Sequence, residues 1–284
     1  PARNLLDGVH TFKEGGHLSH PLEVSSVLKA RKHKCMRKYA LATLPKICEC
    51  DVEPNVVSCN AAINTCSKGK QWAHSLGMLA EMQRRHMEPD VISYSAVINA
   101  YAKMGDVSMA ESMLDAMEEK GLEPGVISYT AVIDSCAKAG DVSTAMSMLA
   151  AMEEKRLEPG VISYTAVIDS CAKAGDVSTA FSMLSAMEET GLQPTVISYT
   201  AVISSCARAS DVSRAVSTLA AMEEKGLQPN AISYTAVINA CAKAGDASGA
   251  MLSFAAMEQR SLDPGVVSYN AVINACAMRG MVSR

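Results

Sequence analysis

Between Val126 and Ala145 the chain reads apolar at Tyr129, Val132, Ile133 and Cys136, with polar or small residues between them. Spacing of three and four puts these side chains on one face of an amphipathic helix. Ser128 just ahead has the hydroxyl an N-cap needs, and Lys138-Ala-Gly140 closes the segment, glycine tolerating the left-handed conformation of a helix end. Asp141 then suits the cap of a second helix carrying Val142, Ala145, Met146, Leu149 and Met152. Pro159 marks the turn that follows. The pattern predicts an antiparallel helical hairpin.

The same stretch recurs letter for letter at Val161 to Ala180, an offset of 35 residues. Units start at Val56, Val91, Val126, Val161, Val196, Ala231 and Val266, giving repeats over 56–90, 91–125, 126–160, 161–195, 196–230 and 231–265 and a truncated one over 266–284. A fixed period of this size belongs to a stacked array, in which no unit buries its apolar face alone. The expected fold class is all-α, a superhelix of hairpins. Position 20 is Ala110, Ala145, Ala180, Ala215 or Ala250, and Ser75 in the first unit, small enough for two helices to approach closely.

Residues 1–20 show no period and are expected to be a disordered leader; 21–55 keep the frame by length, as a degenerate or capping repeat. Pro45 would kink its second helix. Its cluster Lys29, Arg31, Lys32, Lys34, Arg37 and Lys38 reads first as a solvated capping face.

Composition narrows the function. Hydrophobic residues are 49% and charged residues 20%, so the chain is not of the disordered class. Aromatics are only 4% against 18 Met, which makes a core of small and flexible side chains. The formal net charge of −4 means that any anionic polymer must be met by a local basic stripe. Cys66, Cys136, Cys171, Cys206, Cys241 and Cys276 share position 11 and read as buried thiols. Cys48 and Cys50 are too close for a usual zinc pair. His10, His17, His20, His33, His74 and His86 fall in the leader, the cap and the first unit, so neither a metal nor another cofactor is expected. The Glu-Glu pairs ending the second helices read as solvated surface. No catalytic constellation and no bilayer-spanning apolar run occurs, so neither an enzyme nor a membrane partner is expected, and no small-molecule substrate.

A second stripe on the first helix lies about 140° from the core stripe in ideal helix geometry. Position 2 is aliphatic: Val57, Ile92, Ile127, Ile162, Ile197, Ile232 and Val267. Position 5 is small and polar: Asn60, Ser95, Thr130, Thr165, Thr200, Thr235 and Asn270. Position 9 is Asn64, Asn99, Asp134, Asp169, Ser204, Asn239 or Asn274. Position 13 is a cation: Lys68, Lys103, Lys138, Lys173, Arg208 and Lys243. An apolar platform, a hydrogen-bonding tip and a cation at every unit have the chemistry to hold a periodic anionic polymer. A cation that only complements the helix dipole explains position 13 equally well.

The unit Val-Ile-Ser-Tyr-Thr-Ala-Val-Ile-Asp, with Ala-Lys-Ala-Gly-Asp, Met and Gly-Leu-x-Pro-x after it, resembles the pentatricopeptide repeat of organellar RNA-binding proteins, in its standard 35-residue class. The resemblance runs from Val56 onward, with Tyr129, Met152 and Pro159 as marker slots; Cys59 replaces the aromatic in the first unit. It implies a right-handed α-solenoid that binds single-stranded RNA, one nucleotide per repeat, 5′ end toward the N-terminus. It also implies a mitochondrial or chloroplast location and partners among RNA-processing proteins. Base choice would rest on positions 5 and 35, here Asn60/Asp90, Ser95/Gly125, Thr130/Gly160, Thr165/Thr195, Thr200/Asn230 and Thr235/Gly265. By resemblance Asn/Asp favours U, Thr/Asn favours A, and Ser or Thr at position 5 leans toward purines. Gly125, Gly160 and Gly265 bring no side chain, so selectivity there should be weak. The alternative is a scaffold that binds an extended peptide in the same groove.

Overall fold

The computed structural model describes residues 55–68 and 72–282. The expected leader over 1–20, the capping repeat over 21–55 apart from Asn55, Pro45, the basic cluster at 29–38, His10, His17, His20, His33, Cys48 and Cys50 lie outside the described residues.

Among the described residues there are thirteen helices and no strand. They pair as α1 (Val56–Lys68) with α2 (Trp72–Arg84), α3 (Val91–Met104) with α4 (Val107–Glu119), α5 (Val126–Ala139) with α6 (Val142–Glu154), and α7 (Val161–Ala174) with α8 (Val177–Glu189). Then come α9 (Val196–Ala209) with α10 (Val212–Glu224), α11 (Ala231–Ala244) with α12 (Ala247–Gln259), and α13 (Val266–Val282). By contact the chain divides into two compact units, the division falling between Val132 and Ile133. In the first, α1 packs on α2 and α3, and α3 on α4. In the second, α7, α9, α11 and α13 pack in succession, each of the first three also holding its own hairpin partner. This is the expected all-α hairpin stacking of the solenoid class.

The start of the first helix differs from expectation. Helix α5 begins at Val126, and the Ser128 N–H donates to the Gly125 carbonyl at 2.9 Å, so Ser128 is its third residue and not its cap. The cap is position 35 of the preceding repeat. Asp90, Thr195 and Asn230 are extended (φ −100°, −103° and −106°), and each side chain accepts from the serine N–H three residues on. The serine hydroxyl in turn accepts from the cap's own N–H, a reciprocal capping box with serine in the place usually held by Glu or Gln.

The other boundaries follow the chemistry expected. Asp141 caps α6 by accepting from the Thr144 N–H at 3.0 Å, as Asp106, Asp176, Asp211 and Asp246 cap the other second helices. Gly140 (φ 80°) and Gly175 (φ 83°) end their helices in the left-handed region. They also permit a close approach: a Cβ on Gly140 would lie 2.9 Å from Lys173 Cγ, and one on Gly175 3.1 Å from Arg208 Cγ.

The largest fully buried side chains are the isoleucine at position 8 and the methionine at position 27 of every full repeat, Ile203 with Met222 for example. Each such burial contributes about 1.5–3 kcal/mol. Position 20 is fully buried throughout, and Ser75 satisfies its hydroxyl on the Ile63 carbonyl. Cys66, Cys136, Cys171, Cys206 and Cys241 are fully buried, and burial pushes the Cys66, Cys171 and Cys206 thiols up to about 11. Cys276 departs from the expectation: on α13, which packs on α11 and α12, this thiol is exposed.

The Glu-Glu pairs are also more than solvated surface. Tyr129 donates its hydroxyl to Glu118 Oε1 at 3.1 Å, and Tyr199 and Tyr234 reach Glu188 and Glu223 at 3.4 Å. Lys225 and Arg260 clasp the same Glu188 and Glu223 from the next hairpin at 2.7 Å. The first glutamate of the pair therefore ties successive repeats together.

Candidate functional site

The first helices place positions 2, 5 and 13 at fixed steps along one face. Position 2, one residue into the helix, is solvent-facing: exposure runs from 55% at Val57 to 76% at Ile162, with Ile92, Ile127, Ile197, Ile232 and Val267 between. An aliphatic side chain is exposed to this extent at every repeat, beside a core that buries the position-8 isoleucine of every full repeat.

Position 5 lies one turn further on and meets the cap of the next repeat through the buried serine. In the first compact unit, Asn60 Nδ2 donates to Asp90 Oδ1 at 2.9 Å, while Ser93 Oγ lies 2.6 Å from Asn60 Oδ1 and 2.9 Å from Asp90 Oδ1. In the second, Thr200 Oγ1 lies 2.7 Å from Ser233 Oγ, which is 3.2 Å from Asn230 Oδ1. Thr165, Ser198 and Thr195 form the same chain, at 2.9 and 3.2 Å. The structure thus brings positions 5 and 35 into one hydrogen-bonded cluster in the three fully described repeats whose position 35 has a side chain. Where it is glycine, only half of the cluster remains: Ser95 meets Ser128 at 2.8 Å and Thr235 meets Ser268 at 2.7 Å. Gly160 caps α7 without a side-chain bond; Thr130 is half-buried, and Asn270 is exposed on α13.

Burial pushes the Asp90 carboxyl up, but the Ser93 N–H, the Asn60 amide and the Ser93 hydroxyl together outweigh it and hold the group below the usual carboxylate range. Asp90 is therefore an anion at neutral pH with its Oδ1 turned inward.

Position 13 sits at the far end of the helix. Lys138, Lys173, Arg208 and Lys243 are exposed and Lys103 is half-buried; the Lys68 side chain lies outside the described residues. Lys138 pairs with Asp134 one turn back at 3.0 Å, an exposed ion pair of small energetic weight. Asp169 holds the same position 9 in the next repeat. Desolvation, then the Asp134 carboxylate, pushes its carboxyl up to about 6. Asp169 is exposed overall, so water screens both causes.

Two members of this face are hidden in the one-dimensional pattern. The position-3 serines have the chemistry of caps and act as the connectors. Asn55 stands before α1 as Asn230 stands before α11, accepting from the Ser58 N–H at 2.9 Å. A usable signal is present: Asn, Asp or Thr three residues ahead of Ser is itself a capping pattern. Among the described residues no group of three His, Cys, Asp or Glu is placed to hold a metal ion, and no helix is long and apolar enough to cross a membrane.

The PPR repeat family matches residues 54–100, 89–138, 124–173 and 159–208, a PPR repeat matches 197–227, and the pentatricopeptide repeat domain matches 217–279. Among curated proteins no sequence matches. Of solved structures, the pentatricopeptide repeat protein PPR10 from maize is similar over 96% of this chain and 39% of its own, at 26% identity and a TM-score of 0.72. The same protein in complex with an 18-nt psaJ RNA element is similar over 99% of this chain and 41% of its own, at 24% identity and a TM-score of 0.65. The PPR domain of Arabidopsis thaliana protein-only RNase P 1, in complex with tRNA, covers 63% of this chain and 95% of its own, at 18% identity and a TM-score of 0.53. The chain thus spans well under half of the maize structure's length.

Proposed function

The chain belongs to the pentatricopeptide repeat family, and on that footing we propose that it binds single-stranded RNA, one nucleotide per repeat, in organellar RNA processing, stabilisation or translation. The carrying observation is the hydrogen-bonded contact of position 5 to the buried serine of the next repeat, joined by the position-35 side chain in three repeats, next to an exposed aliphatic side chain that recurs at the repeat spacing. The aliphatic group flanks a base, the cluster addresses its edge, and the exposed position-13 cations meet phosphate. The maize relative, solved with an RNA element, supports RNA as the polymer. The array itself positions a strand and performs no chemistry on it. Mitochondrion or chloroplast is the proposed location, by family.

The repeats from Val56 to Gly265 then read 5′-U, three purine-leaning positions, A, and a purine-leaning position. Asn60 with Asp90 sets the U, and Thr200 with Asn230 the A. Competition binding among six-nucleotide RNAs that differ at one position, at two salt concentrations, tests this. The expected result is a preference for U at the first place and A at the fifth. The salt slope should be flatter by about 0.7 for each phosphate no longer neutralised in Lys138→Ala or Lys173→Ala. Equal binding of all RNAs and an unchanged slope would overturn the reading and favour the extended-peptide scaffold.

A further inference from the structure

Serine occupies position 3 in all seven units, as Ser58, Ser93, Ser128, Ser163, Ser198, Ser233 and Ser268, and every one is buried. A capping box explains a serine hydroxyl that accepts from the cap N–H. It does not explain why the same hydroxyl also contacts position 5 of the preceding repeat. That second contact persists where the cap is glycine, as at Ser95 with Ser128 and Thr235 with Ser268.

The cap geometry decides which atom of position 35 faces outward. Asn230 Oδ1 accepts from the Ile232 N–H at 2.9 Å and the Ser233 N–H at 3.0 Å. An amide nitrogen cannot accept from an N–H, so the amide has one orientation: oxygen inward, and the Nδ2 donor turned away from the helix. Asp90 holds Oδ1 inward in the same way and is left with an acceptor oxygen on the other side. Two side chains of one shape thus present opposite hydrogen-bonding atoms, a donor suited to the N1 acceptor of A and an acceptor suited to the imino N–H of U or G.

Thr200 Oγ1 donates to Ser233 Oγ at 2.7 Å and Ser233 Oγ to the inward Asn230 Oδ1 at 3.2 Å, so the serine ties that oriented amide to Thr200. Ser93 ties Asp90 to Asn60 in the other compact unit. We propose that the position-3 serine of the following repeat is a specificity-determining positioning residue, which makes each reader a three-residue device drawn from two repeats. Ser93, Ser198 and Ser233 are themselves fully buried and reach no base. They act by fixing the relative place of the two side chains that do. This inference rests on the base-reading function proposed above.

The test is competition binding by the whole chain, with RNAs that differ only by A or G at the nucleotide facing Thr200 and Asn230. Ser233→Ala is expected to shrink the A-over-G ratio by about fivefold, the loss of one hydrogen bond in a coupled set. Ser233→Thr, which keeps the oxygen, restores it. Ser268→Ala, where Gly265 offers no side chain to orient, leaves the base ranking at its own nucleotide unchanged. A purely structural serine would lower affinity for A and G alike and leave the ratio intact, which overturns the proposal. If Ser233→Ala does not fold, Ser233→Cys, which fills the site with a weak hydrogen-bonding group, decides by the same ratio. A wild type that ranks A and G alike overturns base reading and this inference with it. A discriminating wild type with an equally discriminating Ser233→Ala overturns this inference alone.

Discussion

The repeat closed by Asn230 and the repeat closed by Gly265 share their central buried residues and their position-5 threonine and differ at the cap. Ile203 and Ile238, at the same position in each, are fully buried, and Thr200 and Thr235 make the same 2.7 Å contact to a serine of the next repeat. At the cap they part: Asn230 supplies an oriented amide, whereas Gly265 supplies none. The backbone does not demand that glycine. A Cβ at Gly265, as at Gly125 and Gly160, would meet nothing within 4 Å, and Gly160 at φ −94° is extended like any other cap. Stability therefore resides in an interior that the period copies at positions 8 and 27, while the base selectivity proposed above rests on an edge that varies from repeat to repeat.

The sharpest way to break this comparison is in the core. Ile203→Ala and Ile238→Ala should each cost about 2–5 kcal/mol, in similar measure, as a cavity and forfeited transfer energy demand. Urea midpoints that differ widely between the two would end the claim of a common interior. Next in size is the gain of selectivity: Gly265→Asn should create a preference for A at the nucleotide facing Thr235, on the order of 1–3 kcal/mol against the wrong base. RNA competition that shows no change of ranking there would remove position 35 from the reading face.

Loss of the cap is smaller. Asn230→Ala should cost about 1 kcal/mol of stability and Asn230→Gly only a few tenths, because a glycine cap leaves the helix end open to water. A larger cost for Gly than for Ala would mean that the amide supports the fold by another route. The smallest effect is on pH, and it has opposite signs at two aspartates. Asp90, held low, stabilises above its ordinary range near 3.8, and that contribution is lost as pH falls through its folded value. Asp169, raised to about 6, does the reverse: its penalty is absent below 3.8, grows as pH rises, and is complete above 6. Asp169→Asn should flatten the decline in thermal midpoint between pH 4 and 6, and Asp90→Asn the decline on the acid side. A wild-type stability that rises from pH 4 to 6 and is insensitive to Asp169→Asn would contradict the second assignment.

Much of this molecule was legible in the chain itself. The 35-residue period, the helical spacing of Tyr129, Val132, Ile133 and Cys136, and the second-helix cap at Asp141 depend on local geometry and on which side chains water rejects; both are written residue by residue. The aliphatic stripe from Val57 to Val267 was legible for the same reason, since a repeating apolar position off the core face must be exposed. Other features were decided only by the tertiary structure. Position 35 closes one repeat in sequence but caps the first helix of the next, so Asp90, Thr195 and Asn230 belong to two repeats at once. Ser128 has the chemistry of a good cap, yet the residue before Val126 takes that role even as glycine, because α5 begins ahead of the serine. The exposed Cys276 shares its slot with five buried cysteines, and only the packing of neighbouring helices separates them. Pairings such as Asn60 with Ser93 and Asp90, or Tyr234 with Glu223 and Arg260, join residues that lie far apart in the chain or in different hairpins. Hydrophobic periodicity marks which face of a helix is buried; which polar groups meet across that face is decided when two helices dock, where each must satisfy its hydrogen bonds with whatever the neighbour presents.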